Sequence, residues 1–78
     1  MTLRRPAQQM PADVAEALAE HRVRKAYDDR PAYQRNDYLA WINRAKRPET
    51  RHKRVDQMLR ELEEGGVYMG MRHRPSER

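Results

Sequence analysis

At 78 residues the chain is one domain at most, and chains of this size bury only ~60% of the surface they expose when unfolded, so its core must be small. Hydrophobic residues make up 37% of the chain and charged residues another 37%, which suits three or four short amphipathic helices and leaves little material for a deep pocket. The absence of cysteine excludes disulfides and thiolate metal sites and fits the reducing cytoplasm, while a formal net charge of +5 favours an acidic partner.

In chain order, residues 1–10 mix Arg, Gln, Pro and Ala without apolar periodicity and are expected to form a disordered arm. Arg4-Arg5 have no apolar run behind them, so this arm is not read as a signal peptide. No stretch approaches the ~20 consecutive apolar residues of a membrane span. Order is expected from Pro11, which suits a first helical turn because its missing N–H costs nothing there. Val14, Ala17 and Leu18 recur at helical spacing, with Asp13 and Glu16 near the positive end of the dipole, and predict a helix over 12–20. Val23, Ala26 and Tyr27 then point roughly opposite to Val14 and Leu18. One straight helix cannot bury both sets against the same core, so a break at His21-Arg22 and a short second helix over 22–28 are expected. Asp28-Asp29-Arg30-Pro31 ends it, since the residue before proline resists helical dihedrals and Asp is a common cap.

A third helix is expected over 31–47, carrying Tyr38, Ile42 and Ala45 on one face with Leu39 and Trp41 flanking it. The fourth is expected over 48–64, with Val55, Met58, Leu59 and Leu62 as its apolar stripe and Gly65-Gly66 as its stop. Val67-Tyr68-Met69 can pack back as a short extended piece. The basic remainder, residues 69–78, is expected to be a disordered tail. The fold class that follows is all-α, a compact bundle of three to four short helices spanning 11–68 with flexible basic termini.

The corner between the third and fourth helices concentrates Arg44, Lys46, Arg47, Arg51, Lys53 and Arg54 around Glu49 and His52. Cations there complement the third helix's dipole but oppose the fourth's, as Glu61, Glu63 and Glu64 do at its far end, typically by ~0.3–1 kcal/mol each when exposed. Local helix stability therefore did not select this distribution. Two readings stay open. The cations either satisfy the last carbonyls of the third helix or stand in solvent, or else Lys46, Arg47, Thr50 and Arg54 form a binding surface beside the first N–H groups of the fourth helix. Arg51 is a separate case, because it falls within the apolar stripe. A guanidinium there must find carbonyls or a carboxylate, and a structural clamp to the first helix is expected. Trp41, Ile42 and Ala45 are assigned to the core.

Nothing in the composition supports catalysis. His21, His52 and His73 are scattered without ligand spacing, so no metal and no cofactor is expected. Ser76 is the only serine and lies in the tail. The paired carboxylates Asp28-Asp29 and Glu63-Glu64 are ordinary features of helix ends.

The constellation Trp41-Ile42, Ala45-Lys46, Glu49-Thr50-Arg51, Arg54-Val55 and the Leu62-Glu63-Glu64-Gly65 close resembles the WI..AK..ETR..R pattern of the bacteriocin-protection or OmpD-associated, YdeI-like family. The likeness extends from Met10-Pro11 to Gly65-Gly66. It implies a small helical module, and the family's labels imply a link to bacteriocin tolerance and a porin without any catalytic residues. The chain departs from the pattern at Arg30, where an apolar residue is expected, and at His21-Arg22. The reading that results is a non-enzymatic interaction module binding an acidic protein through the basic corner, with nucleic acid as the alternative ligand.

Overall fold

The computed structural model describes residues 9–72. Four helices, α1 (Ala12–Glu20), α2 (Arg24–Asp28), α3 (Ala32–Asn43) and α4 (Pro48–Glu64), are followed by two short strands, β1 (Val67–Tyr68) and β2 (Met71–Arg72). The chain is an all-helical globule carrying one two-stranded antiparallel hairpin, with Val67 opposite Arg72 and Tyr68 opposite Met71.

The phase change between α1 and α2 is resolved by a tight helix end. Arg22 takes a left-handed φ of 58°, its N–H donates to the Ala19 carbonyl at 3.1 Å, and the Val23 N–H reaches back to Leu18 at 3.0 Å. This pair of bonds is the Schellman arrangement, which satisfies the last carbonyls of a helix while turning the chain. Its usual apolar contact is supplied by Leu18 and Val23, both buried. Turned in this way, Val14 and Leu18 of α1 and Val23 and Tyr27 of α2 enter one core with Tyr38, Leu39, Ile42, Met58, Leu59 and Leu62.

The third helix stops four residues short of the expected 47. Arg47 precedes Pro48 and is extended at φ −112°, ψ 144°, because the proline ring excludes helical dihedrals there. Arg44 to Arg47 then reverse the chain, with the Ala45 N–H closing on the Ile42 carbonyl at 3.2 Å. Pro48 opens α4 at a first-turn position. At the other end Gly65 (φ 75°) stops the helix, its N–H donating to Glu61 at 2.9 Å.

Partners across the bundle define its layout. Tyr38 meets Glu61, Trp41 meets Arg54 and Ile42 meets Arg51, so α3 and α4 run antiparallel. Asp13 meets Arg51 and His21 meets Glu63, so α1 and α4 run side by side in the same direction.

One further expectation needs correction. The tail expected from residue 69 instead begins with the turn and second strand of the hairpin. Met69 and Gly70 both take left-handed φ, 53° and 82°, the geometry that lets a two-residue loop join twisted strands. Residues 1–8 of the expected arm and 73–78 of the expected tail lie outside the described residues, whereas Met10 packs against the core. Gln34, on which the sequence reading is silent, lies on no apolar stripe yet is fully buried in α3.

Candidate functional site

Corner cations divide into two groups according to what they touch. Arg51 and Arg54 face inward across α3. Arg51 grips the Asp13 carboxylate with two nitrogens, each at 2.9 Å, and turns a third toward Asn43 Oδ1 at 3.2 Å and the Ile42 carbonyl at 3.4 Å. A guanidinium offers a planar fork that fits a carboxylate with two bonds while its other donors cap carbonyls. The arginine in the apolar stripe thus ties α1, α3 and α4 together. Its hydrogen bonds hold the Asp13 carboxyl below the usual carboxylate range against a smaller opposing effect of burial, and the same bonds raise the Arg51 guanidinium.

Arg54 donates to the Trp41 carbonyl at 2.6 Å and lies over the indole with its central carbon 5.3 Å from the ring centroid. Grouped on sequence with the binding cations, it spends at least one donor on the last turn of α3. Trp41 is half-buried, with Arg54 covering one ring face, while Ile42 is fully buried and Ala45 half-buried.

Lys46 and Arg47 form the second group. Both are exposed, as are Arg44 and Lys53, and Thr50 beside them is half-buried. Among the described residues, none of these four cations makes an ion pair within 4 Å. The cap residue Arg47 provides no side-chain hydrogen bond to the first turn of α4. Of the net +5, Arg4, Arg5, Arg74 and Arg78 against Glu77 contribute +3, so the helical body carries only a small excess of positive charge. What distinguishes it is where the charge sits.

A second assembly, not anticipated from sequence, occupies the opposite half of α4. Glu61, only 5% exposed, accepts from the Tyr38 hydroxyl, the Met69 N–H at 2.8 Å, the Gly70 N–H at 2.7 Å and the Gln57 amide at 3.0 Å. Four donors fill its two oxygens, which is how a carboxylate is accommodated in a low-dielectric interior. Arg30, also 5% exposed, donates to the Glu61 main-chain carbonyl at 3.1 Å and to Gln34 Oε1 at 3.2 Å. The guanidinium stands where the family resemblance implies an apolar residue, and it is buried there because it has these acceptors. Burial, and then the hydrogen bond to Glu61, raise the Tyr38 phenol well above its ordinary range. Tyr68 of the hairpin packs edge-on against Tyr38 at 5.5 Å and Tyr33 at 6.1 Å, and its hydroxyl donates to Asp37 at 2.6 Å. The available signals were indirect: a buried tyrosine needs a partner for its hydroxyl, and Met69-Gly70 is a weak form of the Asn-Gly hairpin signal.

Between α1 and α4 runs an open groove of about 430 Å³. Its lining is mixed, with Glu16, Glu20 and Asp56 beside Arg51 and His52, and Val55 and Leu59 among its apolar residues. Among the described residues there is no group of three or more His, Cys, Asp or Glu placed to hold a metal ion, and no helix is long and apolar enough to cross a membrane.

The sequence profile of one family, described as Bacteriocin-protection, YdeI or OmpD-Associated, matches residues 8–65. No curated protein and no solved structure gives a significant match.

Proposed function

The chain belongs to the bacteriocin-protection, YdeI or OmpD-associated family, and from that premise we propose that it is a small non-enzymatic module that docks an acidic protein through the exposed part of the α3/α4 corner. Lys46 and Arg47 carry the contact, with Thr50 as a polar neighbour and Arg44 and Lys53 extending the positive surface. The observation that supports this reading is the division of labour at the corner. Arg51 and Arg54 already serve the Ile42 and Trp41 carbonyls in the last turn of α3, which leaves the exposed cations beside them open to a partner. A cytoplasmic setting belongs to the same proposal and rests on the cysteine-free composition.

A salt titration tests it. Fluorescence anisotropy of a labelled oligoglutamate peptide, a DNA duplex, a single-stranded RNA and phosphatidylserine vesicles is measured against wild type and Lys46→Glu/Arg47→Glu. The reading expects oligoglutamate binding that weakens modestly with salt and is lost in the double variant. A steep linear fall of log K with log salt on either nucleic acid, by contrast, is the signature of counterion release and would replace the protein partner with nucleic acid. The basic termini are the feature that keeps this alternative in view.

A further inference from the structure

Away from the corner and the α1/α4 groove, an open pocket of about 340 Å³ lies between α2 and α3, with Met10 from the segment before α1 contributing to it. Met10, Ala32 and Leu39 form its apolar lining. Its polar lining holds Arg24, Tyr27, Asp28, Arg35 and the neutral Asn36, two positive charges against one negative. Asp28 draws the two guanidiniums to one place. Arg24 Nε donates to both of its carboxylate oxygens, at 3.2 and 3.3 Å, and Arg35 donates to its main-chain carbonyl at 3.3 Å. Neither guanidinium is used up. The Arg24–Asp28 pair is an exposed contact within one helix, of the weak kind, and Arg24 turns Nη1 toward the Met10 thioether at 3.8 Å, a poor acceptor. Half-buried Arg35 makes no ion pair within 4 Å among the described residues, so its planar fork keeps donors for a pair of oxygens.

Tyr27 adds a buried donor to this pair. A buried tyrosine hydroxyl ordinarily has a partner. Tyr27 is only 4% exposed, yet among the described residues its hydroxyl has none. No fully enclosed side-chain oxygen or nitrogen among those residues is without a partner, so the hydroxyl is the part of Tyr27 that opens into the pocket. Burial raises its phenol, and the charges of Arg35 and then Arg24 act against that rise, so both guanidiniums stand within range of it. Tyr38 and Tyr68, by contrast, each give their hydroxyl to a carboxylate, those of Glu61 and Asp37. A hydroxyl and two guanidiniums with donors to spare suit a group that only accepts, and an ionised carboxylate is such a group. The excess of one positive charge suits a monoanion, and the apolar lining suits a hydrocarbon body behind it. We infer that this pocket binds a small organic carboxylate, its oxygens held by the Arg35 fork and the Tyr27 hydroxyl with Arg24 alongside, and its apolar body set against Met10, Ala32 and Leu39. The volume is at the lower end of pockets that hold small molecules. This site shares no residue with the α3/α4 corner and does not depend on the docking proposed there.

Proton–nitrogen correlation NMR of the full chain tests this, with benzoate, its neutral isostere benzamide and inorganic phosphate as probes. Benzoate is expected to shift the amides of α2 and the first turns of α3 saturably, with a Kd of about 1 mM. Benzamide, which lacks the charge, and phosphate, which lacks the apolar body, are each expected to bind at least roughly tenfold more weakly. Tyr27→Phe removes one oxygen and leaves the ring in place. It is expected to weaken benzoate by about fivefold without lowering the melting temperature, whereas a hydroxyl with a purely structural role would lower it. Arg35→Gln is expected to weaken benzoate by about tenfold or more. If that variant fails to fold, Arg35→Lys replaces it, keeping the charge without the fork, with a loss of about threefold expected. Lys46→Glu/Arg47→Glu is expected to bind benzoate as wild type does. The absence of a saturable shift at about 50 mM benzoate overturns the inference, as do equal affinities for benzoate and benzamide, tighter binding of phosphate than of benzoate, or an unchanged affinity in Tyr27→Phe. Shifts that gather at Lys46 and Arg47 and vanish in the corner variant also overturn it, and leave the corner as the anion-binding surface.

Discussion

The two ends of α4 are fastened to the rest of the molecule by opposite means. At the N-terminal end two arginines reach outward from the helix and grip the carbonyls of Trp41 and Ile42 and the carboxylate of Asp13, in positions still reached by water. Toward the C-terminal end one buried carboxylate draws donors inward, taking the Tyr38 hydroxyl from α3 and two successive N–H groups from the hairpin turn. Half-buried guanidiniums with several donors lose one contact at a time, and water replaces it. A buried carboxylate has less fallback, because the Tyr38 hydroxyl it leaves is itself buried and a carboxylate without its donors is costly in a low-dielectric interior. The hairpin end should thus be brittle and the corner end tolerant, which frees the corner to carry binding.

The largest expected effect follows from that asymmetry. Glu61→Gln turns an amide N–H₂ toward groups that are themselves donors, and unfolding by urea should show a loss of about 3 kcal/mol. The same variant should release Met69 and Gly70, read as lost hydrogen-exchange protection of their amides. Arg54→Ala removes the bond to the Trp41 carbonyl and the stack on its ring. A loss of about 1.5 kcal/mol is expected, together with a change in Trp41 fluorescence. If this variant costs as much as Glu61→Gln, the contrast between the two ends fails.

Asp13→Asn should cost less, about 0.5–1 kcal/mol, because the ion pair is partly solvated. Its pH dependence has a definite sign. The Asp13 carboxyl is lowered on folding by the Arg51 hydrogen bonds, so its contribution is present above the unfolded pKa of ~3.9 and is lost as pH falls through the folded value. The stability difference between wild type and Asp13→Asn should therefore be flat from about pH 5 to 8 and should shrink below about pH 4. A smaller effect of opposite sign is expected where the backbone is strained. Arg22→Gly relieves a left-handed residue at the end of α1, and a gain of about 0.5 kcal/mol should appear as a raised melting temperature.

Much of this architecture was legible in the residues themselves. The phase reversal between Leu18 and Val23 required a break, and Pro48 and Gly65 marked the limits of α4, because such signals are local and steric. Arg51 declared itself by standing in an apolar stripe, since a charge there has few options. The Glu61 assembly was not legible. Its members are separated along the chain at Arg30, Tyr38, Glu61 and Met69, and no local pattern distinguishes a glutamate that will be buried from Glu63 and Glu64 beside it. The inward turn of Arg54 was not legible for a related reason: whether a corner cation turns inward depends on the crossing of two helices, which spacing along one of them does not determine. The end of α3 falls four residues before the expected 47 because reversing the chain into α4 takes Arg44 to Arg47, and no local signal in those residues marks where the helix gives way.

The most direct test compares stability and binding in one variant. Lys46→Glu/Arg47→Glu is taken through urea unfolding and through titration with labelled oligoglutamate under the same conditions. Because acidic groups gain at the N-terminal end of α4 about what they lose at the C-terminal end of α3, its stability is expected to stay within about 0.5 kcal/mol of wild type while binding is lost. A variant that loses stability along with binding, or that keeps its affinity, would contradict the separation of a structural inner set of cations from a binding outer set.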